Sequence, residues 1–454
     1  MTHRPDIRPL TLFADKPVYV VGLGASGMAA AHGLRAGGAK VLCWDDNQAT
    51  RDTATAQGFN IDDPATSSRL EEAAALVLAP GIPLTHPAPH PAVLAAQTAG
   101  IEILGDIELL FRAQPKARYV GITGTNGKST TTALVGHILR QGGVDVAIGG
   151  NLGIPALTLP NAAVYVLEMS SYQLELTPSA MFDIAVLLNI TPDHLDRHGD
   201  LNGYIQAKMR ILRPRDADSL AIIGIDEPHS GSIADQLMKD GRAISRIAHT
   251  TQPVADMIDD GQCPALAGDH GKQNAAAAFA IAQALGLSQE SILEGLRSFP
   301  GLAHRQERIA TLDGVTFIND SKATNAESAA RALSAFDGIY WIAGGKGKDG
   351  GYGALDAYLT RVRHAFLIGD AAATMADWIG NRVPTTLSGT LETAIGAAFQ
   401  MARTEPSAGP VILSPACASF DQFKNFEVRG DAFRDLVLAL PANSRTVFST
   451  REAA

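Results

Sequence analysis

The sequence has few cysteines, few aromatic residues and no long apolar run. Among 454 residues there are only three cysteines, Cys43, Cys263 and Cys417, and aromatic side chains make up 6%. The cysteines are odd in number, lie far apart and form no CxxC pair. This spacing argues against a disulfide framework and against a structural zinc site, so we expect a reducing, cytoplasmic environment.

Membrane and nucleic-acid partners are also disfavoured. No apolar run approaches the ~18 residues of a membrane-spanning helix, and the charged N-terminal segment makes a poor signal peptide. The 37 Lys+Arg and 47 Asp+Glu give a net charge of −10. Because nucleic acids and anionic membranes are recognised through bulk positive charge, we expect neither as a partner. A local anion pocket is still compatible with this charge.

Apolar residues (46%) and 44 glycines are what the sequence has in plenty. Short continuous apolar runs alternate with helical stretches, as in parallel sheets that are covered on both faces. Strands are predicted at Val18–Gly22, Lys40–Asp45, Ala75–Ala79, Tyr119–Thr123, Val164–Glu168, Ile184–Asn189, Ser219–Ile225, Thr316–Asn319, Ile339–Ala343, Ala365–Gly369 and Pro410–Ser414. Helices are predicted at Ser26–Gly37, Ser129–Gln141, Gln273–Leu285, Glu327–Ser334, Thr390–Arg403 and Gly430–Leu440. The pattern predicts an α/β protein of three domains, at residues 1–105, 106–301 and 302–454.

A first glycine loop follows the first predicted strand. It reads Gly22-Leu-Gly-Ala-Ser-Gly27, and Asp45 and Asp46 stand at the end of the next strand. This fits G-x-G-x-x-G with an acidic residue about 20 positions on, a pattern typical of dinucleotide binding. From these residues alone, a nicotinamide cofactor, another nucleotide and a tight turn without a ligand all stay open.

A second glycine loop, Gly124-Thr-Asn-Gly-Lys-Ser129, also lies between a strand and a helix. Its backbone amides would hold phosphates, Lys128 would reach the terminal oxygens, and Ser129 or Thr130 would touch Mg²⁺. The generic G-x-x-x-x-G-K-[ST] pattern is not strictly met, because Ile122 occupies its first glycine position. A dehydrogenase has no use for such a loop.

Polar residues of the middle region suggest a metal site. Glu168 ends a predicted strand, where a carboxylate beside a phosphate loop is well placed to hold Mg²⁺. His194 and His198 have the spacing of a helical zinc pair, but Leu195 stands where a zinc protease has its glutamate. A polar loop with surface histidines is the plainer alternative, and Lys208 by itself indicates only an exposed helical lysine.

Three polar loops follow strands in the last third of the chain, where open α/β sheets bind ligands. Side chains that could bind carboxylates are Lys322, Thr324, Lys348 and Ser419, and those that could reach phosphate and ribose are Arg305 and Asp320. Each loop alone could be a simple connection. Cys417 is a poor candidate nucleophile, because no histidine lies near it in sequence.

These motifs together resemble the Mur ligases, whose relative is folylpolyglutamate synthase. The resemblance runs nearly end to end and rests on G-T-N-G-K-S, on Asn319–Asn325 and on Ser414–Phe423. It implies a Rossmann-like N-terminal domain, a central P-loop ATPase-type parallel-sheet domain and a Rossmann-like C-terminal domain. The implied activity is ATP-dependent ligation of D-glutamate to UDP-N-acetylmuramoyl-L-alanine through an acyl phosphate, in peptidoglycan precursor synthesis, by a cytoplasmic monomer.

The resemblance also implies roles for individual residues. It places the UDP-linked substrate, rather than NAD, at Gly24, Ala25, Ser26, Asp45, Asp46, Pro80, Gly81, Asn151 and Gln173. It places ATP at Gly124, Thr125, Asn126, Gly127, Lys128, Ser129, Thr130, Asn274, Arg305 and Asp320. Glutamate is expected at Thr324, Lys348, Ser419 and Phe426, and the catalytic residues are Lys128, Glu168, His194, Lys208 and Lys322. Two Mg²⁺ ions are implied, one at Ser129 and Glu168 and one at His194 and a Lys208 carboxylated by CO₂.

The sequence departs from the family pattern at three positions. Gly271 replaces the first asparagine of G-x-H-N-x-x-N, so an adenine contact carries over only to Asn274. Asn47 stands where a uracil-binding basic residue is expected, and Lys346 where an acidic residue is common. The alternatives to this ligase are a sibling ligase, a nucleotide-binding regulatory protein without turnover, and a NAD dehydrogenase.

Overall fold

The computed structural model describes residues 7–151, 153–347, 351–405 and 409–448. The chain forms two compact units, one of Met1–Asp260 with Asp269–Arg297 and one of Gly261–Gly268 with Ser298–Ala454. Lys348, a predicted glutamate contact, lies outside the described residues. The domain boundaries at 105/106 and 301/302 stay predictions.

The first unit opens with a five-stranded parallel sheet in the order β3-β2-β1-β4-β5. Its strands are β1 (Pro17–Val21), β2 (Lys40–Trp44), β3 (Asn60–Ile61), β4 (Ala75–Leu78) and β5 (Ile103–Leu104). Its helices are α1 (Ala25–Ala36), α2 (Gln48–Ala56), α3 (Pro91–Thr98) and α4 (Asp106–Ala113). The buried strand residues are continuous runs because helices cover both faces.

A second, six-stranded parallel sheet completes this unit, in the order β11-β10-β9-β6-β8-β7. Its strands are β6 (Arg118–Thr123), β7 (Val146–Gly150), β8 (Val164–Glu168), β9 (Ile184–Leu187), β10 (Leu220–Gly224) and β11 (Ile244–Ile247). Its helices are α5 (Lys128–Gln141), α6 (Ser171–Glu175), α7 (Leu195–His198), α8 (Leu201–Met209), α9 (Pro228–Lys239), α10 (Val254–Asp259), α11 (Asp269–Ala284) and α12 (Gln289–Ser298). One hydrophobic core, which runs from Val20 to Leu110 and Tyr165, joins both sheets into one unit.

The second unit contains a seven-stranded sheet in the order β16-β15-β14-β17-β13-β12-β18. Its strands are β12 (Glu307–Leu312), β13 (Val315–Asn319), β14 (Ile339–Gly344), β15 (Val362–Ile368), β16 (Thr385–Gly389), β17 (Val411–Leu413) and β18 (Arg445–Val447). Its helices are α13 (Ala326–Ala335), α14 (Ala372–Ile379), α15 (Leu391–Ala402) and α16 (Phe426–Ala439). The sheet is parallel except at one edge, where β12 pairs antiparallel with β13 and with β18.

The predicted α/β class is confirmed, and each predicted strand and helix is present, with β8 as predicted and the other elements shifted at one or both ends. The last helix begins at Phe426 rather than Gly430, because the Asn425 side chain accepts a hydrogen bond from Val428 N and caps the helix there. The hairpin β12–β13 was not predicted; its turn is the Asp313-Gly314 pair, a known hairpin signal. Within the described residues, no helix is both long and apolar enough to cross a bilayer.

Candidate active site

The second glycine loop connects β6 to α5 at the carboxyl edge of the central sheet. Ile122 is fully buried within β6, which explains why the generic pattern has no glycine there: the loop starts only after Thr123. Gly127 has a φ of 85° and caps α5. A Cβ on Gly127 would lie 2.3 Å from Asn274 Oδ1, so only glycine fits between the loop and α11. The free amides of a helix N-terminus at this point form an anion site.

Two lysine side chains converge on this loop. Lys128 Nζ donates to Gly124 O (2.8 Å) and Thr125 O (2.9 Å). Lys208 Nζ, from α8, donates to the same Gly124 O at 2.8 Å. The Lys208 side chain is only 1% exposed, and its Nζ lies 4.6 Å from the centre of the Tyr204 ring. Desolvation first, and then the charge of Lys128, hold the pKa of Lys208 well below its usual value. The charges of Asp193 and Glu168 act in the opposite direction and raise this pKa.

Glu168 provides an unsatisfied carboxylate oxygen beside these lysines. It ends β8 and is 2% exposed. Its Oε1 accepts a hydrogen bond from Asn151 Nδ2 at 2.8 Å, whereas Oε2 is buried and has no partner among the described residues. A buried carboxylate oxygen is costly unless it binds a donor or a cation, so Glu168 is suited to be a metal ligand.

The two histidines of the next loop lie in different environments. His194 precedes α7 with a φ of 53°, and its side chain is half exposed. Desolvation, aided by the charges of Lys128 and Lys208, lowers its pKa, which favours the neutral imidazole that binds metals. His198 is buried, with Nε2 2.9 Å from Ser171 Oγ and its ring stacked on Tyr172.

The first glycine loop connects β1 to α1. A Cβ on Gly27 would come within 1.8 Å of Gly22 O, whereas a Cβ on Gly24 would meet no protein atom within 4 Å. Asp45 Oδ2 accepts a hydrogen bond from Leu23 N at 2.7 Å, so the acidic residue after β2 holds the loop. The exposed Asp46 pairs with His90 at 3.1 Å. Ala25 and Ser26 form the first turn of α1.

Arg197, which was not predicted, contacts two other residues expected at the UDP-linked substrate, Pro80 and Gly81. Its guanidinium donates to Gly81 O (2.8 Å), Ile82 O (3.2 Å) and Pro80 O (3.4 Å). It also lies over the Tyr172 ring, 4.4 Å from the centre. The loop after β4 is therefore attached to the helix that follows His194.

Gln173, in contrast, has a local role. Its Oε1 accepts hydrogen bonds from Ser170 N (3.1 Å) and Ser170 Oγ (3.0 Å), which completes a capping box at the start of α6. Its expected contact with the UDP-linked substrate stays a prediction.

In the second unit, loops after adjacent strands gather around Lys322. Its Nζ lies 3.8 Å from the centre of the Phe426 ring. The buried Arg429, another residue that was not predicted, donates to Ser321 Oγ (3.0 Å), Ser321 O (2.9 Å) and Cys417 O (3.2 Å). It thereby holds the loops after β13 and β17 together, next to the half-buried Thr324 and the buried Ser419.

Two residues predicted at ATP are more enclosed than expected. Asp320 is buried, and its carboxylate accepts from Ser414 Oγ (2.8 Å) and Gln306 N (3.2 Å). Burial raises its pKa to about 7, although these hydrogen bonds and the charge of Arg305 act in the opposite direction. Asn274 is buried in α11 and accepts from Thr131 Oγ1 at 3.2 Å.

The structure thus brings the phosphate loop, Glu168, His194, Lys208 and Asn151 together in the first unit. Thr125, Asn126, Ser129 and Thr130 lie in the loop and the first turn of α5, as predicted. Residues that support the site were missed, because nothing in their sequence spacing shows a contact with a distant loop. Arg197 stands between the two histidines that suggested the site, but nothing in its spacing shows that it reaches the loop after β4.

Two family models match the chain. The Mur ligase middle domain matches residues 122–261, and the Mur ligase glutamate ligase domain matches residues 304–417. The first covers the phosphate loop, Glu168, His194 and Lys208, and the second covers Arg305, Asp320, Lys322 and Thr324.

Relatives match nearly the whole chain. UDP-N-acetylmuramoylalanine–D-glutamate ligase from Nitrobacter winogradskyi is 48% identical over 95% of this chain and 98% of its own. The protein of the same name from Rhizobium etli is 47% identical over 95% and 97%. Among solved structures, UDP-N-acetylmuramate–alanine ligase from Thermotoga maritima matches with a TM-score of 0.53 at 16% identity, over 93% of this chain and 99% of that one, which supports the fold.

Proposed function

The chain belongs to the Mur ligase family, and we propose that it joins D-glutamate to UDP-N-acetylmuramoyl-L-alanine at the expense of ATP, in peptidoglycan precursor synthesis. Relatives named for this activity match at 46–48% identity over 95% of the chain. One observation supports the chemistry most directly: Lys128 and Lys208 meet at Gly124 O, beside the unpaired carboxylate oxygen of Glu168.

The first step joins two anions. The alanyl carboxylate attacks the γ-phosphorus of ATP, and the bond from that phosphorus to the β-phosphate oxygen breaks. ADP is the leaving group, and the product is an acyl phosphate. The Lys128 ammonium and the amides at the start of α5 reduce the repulsion, because they hold positive charge where negative charge gathers.

In the second step, the amine of D-glutamate attacks the acyl carbon. A tetrahedral intermediate forms, the carbon–oxygen bond to phosphate breaks, and the nitrogen loses a proton to give the amide. Thr324, Lys348, Ser419 and Phe426 would position the amino acid, and Lys322 would neutralise one of its carboxylates.

The family uses Mg²⁺ with ATP, and residues of this chain fit the ion. When bound, Mg²⁺ neutralises phosphate oxygens and polarises the phosphoryl group. Glu168 Oε2 offers a buried hard ligand without another partner among the described residues, and Ser129, in the first turn of α5, is buried beside the loop. We assign one ion to Glu168 and Ser129 and a second to His194 and a modified Lys208.

The modification assigned to Lys208 is a carbamate. The lysine ammonium first loses one proton, and the neutral amine then attacks CO₂ and loses a second proton, so that a cation becomes an anion that can bind Mg²⁺. Lys208 is suited to this reaction because its amine is buried, its pKa is held well below the usual value, and no described carboxylate forms an ion pair with it. An ordinary ammonium at this position would repel the ion.

The remaining assignments concern the other ligands and the state of the protein. Gly24, Ala25, Ser26, Asp45, Asp46, Pro80, Gly81, Asn151 and Gln173 would hold the UDP-linked substrate, and Asn274, Arg305 and Asp320 would hold the nucleoside part of ATP. The enzyme would act in the cytoplasm as a monomer.

The test is phosphate release from ATP, Mg²⁺ and UDP-N-acetylmuramoyl-L-alanine with a panel of D- and L-amino acids. We expect release with D-glutamate alone, and loss of release in Lys128→Ala. The matched control Lys239→Ala, at an exposed helix end, should behave like the wild type. Release with another amino acid, or none at all, would contradict the proposal.

A further inference from the structure

A chain of hydrogen bonds runs along the carboxyl edge of the central sheet, from the phosphate loop to the surface. Asn126 lies in the loop after β6, Asn189 follows β9, Asp226 follows β10 and His249 follows β11, and these four strands are consecutive neighbours in the sheet. Gln273 of α11 supplies the remaining link. We refer to these five residues as the carboxyl-edge chain.

The links are short and directional. Asn126 N donates to Asn189 Oδ1 (2.9 Å), and Asn189 Nδ2 donates to Asn126 O (3.2 Å) and to Gln273 Oε1 (3.1 Å). Gln273 Nε2 then donates to Asp226 Oδ2 at 2.7 Å. Asp226 also accepts from His249 N (3.0 Å), and its Oδ1 lies 2.6 Å from His249 Nδ1.

The two amide side chains that link the carboxyl-edge chain are buried. Asn189 and Gln273 are each 4% exposed, so a reversed amide would face a like group without water to replace the lost hydrogen bond. Gly224 leaves room for this arrangement, because a Cβ there would lie 2.8 Å from Gln273 Nε2.

Asp226 and the Asn126 N–H fix the direction of the carboxyl-edge chain from its two ends. A carboxylate only accepts hydrogen bonds, so Gln273 must turn its NH₂ towards Asp226 and its oxygen towards Asn189. Asn189 must then present its NH₂ to Gln273 and its oxygen to Asn126 N. The Asp226 carboxylate thus fixes the Gln273 amide in the one orientation that lets Asn189 accept from the phosphate-loop peptide.

We propose that Asp226 and Gln273 are positioning residues for ATP: they hold the Asn126 peptide, and with it the phosphate loop, in its binding shape before the nucleotide arrives. This inference rests on the proposed function. A loop that is already ordered loses less entropy on binding, so the effect should fall on nucleotide affinity. It should be smaller for the UDP-linked substrate, because most of its predicted residues lie in the first glycine loop, after β2 and after β4.

The experiment exchanges the amide of Gln273 and the carboxylate of Asp226. Gln273→Glu alone places two carboxylates in contact, and we expect KM for ATP and Kd for ADP to rise about tenfold, since a buried polar group loses its partner. In the double variant Gln273→Glu/Asp226→Asn, the amide at 226 donates to the carboxylate at 273, which still accepts from Asn189. The net charge equals that of the wild type, and we expect both constants to return to within about threefold.

Calorimetric titration with ADP separates this inference from the proposed function, because it needs no ligase activity. The control Asp235→Asn, which removes an exposed partner of Arg246, should leave the Kd for ADP unchanged. A Gln273→Glu variant with wild-type affinity would overturn the proposal. If that variant does not fold, recovery of folding and ADP affinity in the double variant supports the proposal, and a double variant that stays unfolded or tenfold weaker overturns it.

Discussion

At the scale of single residues, the first unit contains three carboxyl or lysine side chains that are buried without an ion-pair partner among the described residues. They are Asp106, Glu168 and Lys208. A buried charge without a counter-charge costs free energy, so such groups either shift their pKa or bind a ligand. Glu168 and Lys208 lie beside the phosphate loop, where ligands can satisfy them, and Asp106 stands at the start of α4.

Removal of the Lys208 side chain tests its proposed carboxylation. In Lys208→Ala we expect kcat to fall roughly 10²–10³-fold, the range seen when a charge-stabilising group is lost. Formate or acetate should restore part of the activity, because the anion can occupy the space of the carbamate. Lys239→Ala serves as the control. Full activity in Lys208→Ala would refute the role, and a loss that no carboxylate rescues would argue against a carbamate.

Asp106 should make stability depend on pH. Neither of its oxygens has a hydrogen-bond partner in the described residues, and burial raises its pKa from 3.8 to about 6, against the nearby Ile107 amide and Ser26 hydroxyl. A pKa that is higher in the folded chain contributes stability at low pH, and this contribution is lost as pH rises from about 4 to about 6. Asp106→Asn removes the effect.

Relative to the wild type, Asp106→Asn should therefore gain up to about 3 kcal/mol of unfolding free energy between pH 4 and pH 7. Urea unfolding at several pH values measures this gain. The control Asp240→Asn, at an exposed helix end, should track the wild type at every pH. A constant difference between Asp106→Asn and the wild type would show that Asp106 does not titrate in this range.

At the scale of elements, two strand–loop–helix units hold the predicted phosphate groups, and their glycines differ in what they do. Gly27 and Gly127 face protein atoms at distances that exclude a Cβ, so they are required by packing. A Cβ on Gly24, which caps α1, would meet no protein atom within 4 Å, and the φ of −67° is ordinary for any residue. Packing therefore does not explain this glycine, whereas the proposed UDP-linked substrate would.

Gly24→Ala should consequently separate folding from binding. We expect a change in unfolding free energy within about 1 kcal/mol, since alanine loses less conformational freedom on folding. KM for UDP-N-acetylmuramoyl-L-alanine should rise about tenfold or more, because the new methyl group occupies ligand space. Gly396→Ala, at another position where a Cβ would meet no protein atom, is the control and should leave KM for UDP-N-acetylmuramoyl-L-alanine unchanged. An unchanged KM for the UDP-linked substrate in Gly24→Ala would show that the first glycine loop does not bind this substrate.

Sequence reasoning identified the elements whose residue pattern is local. The phosphate loop and Glu168 were predictable, because polar groups that end apolar strands share one edge of a parallel sheet. Arg197 and Gln273 were not, because their partners are more than 40 residues away and depend on how helices pack. Asn425 could have been predicted as a cap from its type and position, which would have placed the start of α16 correctly.

At the scale of the whole molecule, the predicted ATP residues are divided between the two units. Gly124–Thr130 belong to the first unit, and Arg305 and Asp320 to the second.

The net charge of −10 opposes every proposed substrate, since all of them are anions. Binding must come from local lysines, helix N-termini and Mg²⁺. Because long-range repulsion is screened by salt, association with ATP should be faster at moderate than at very low ionic strength.

The second unit is not one continuous stretch of chain. Gly261–Gly268 belong to it, and Cys263 and Leu266 in that segment are buried, although Asp269–Arg297 return to the first unit. A gene fragment that starts at Ser298 would therefore encode a protein with an uncovered apolar patch where this segment packs. Recombination between related genes would preserve both cores only if it exchanged the two pieces together, which makes this short segment a barrier to swapping the C-terminal unit.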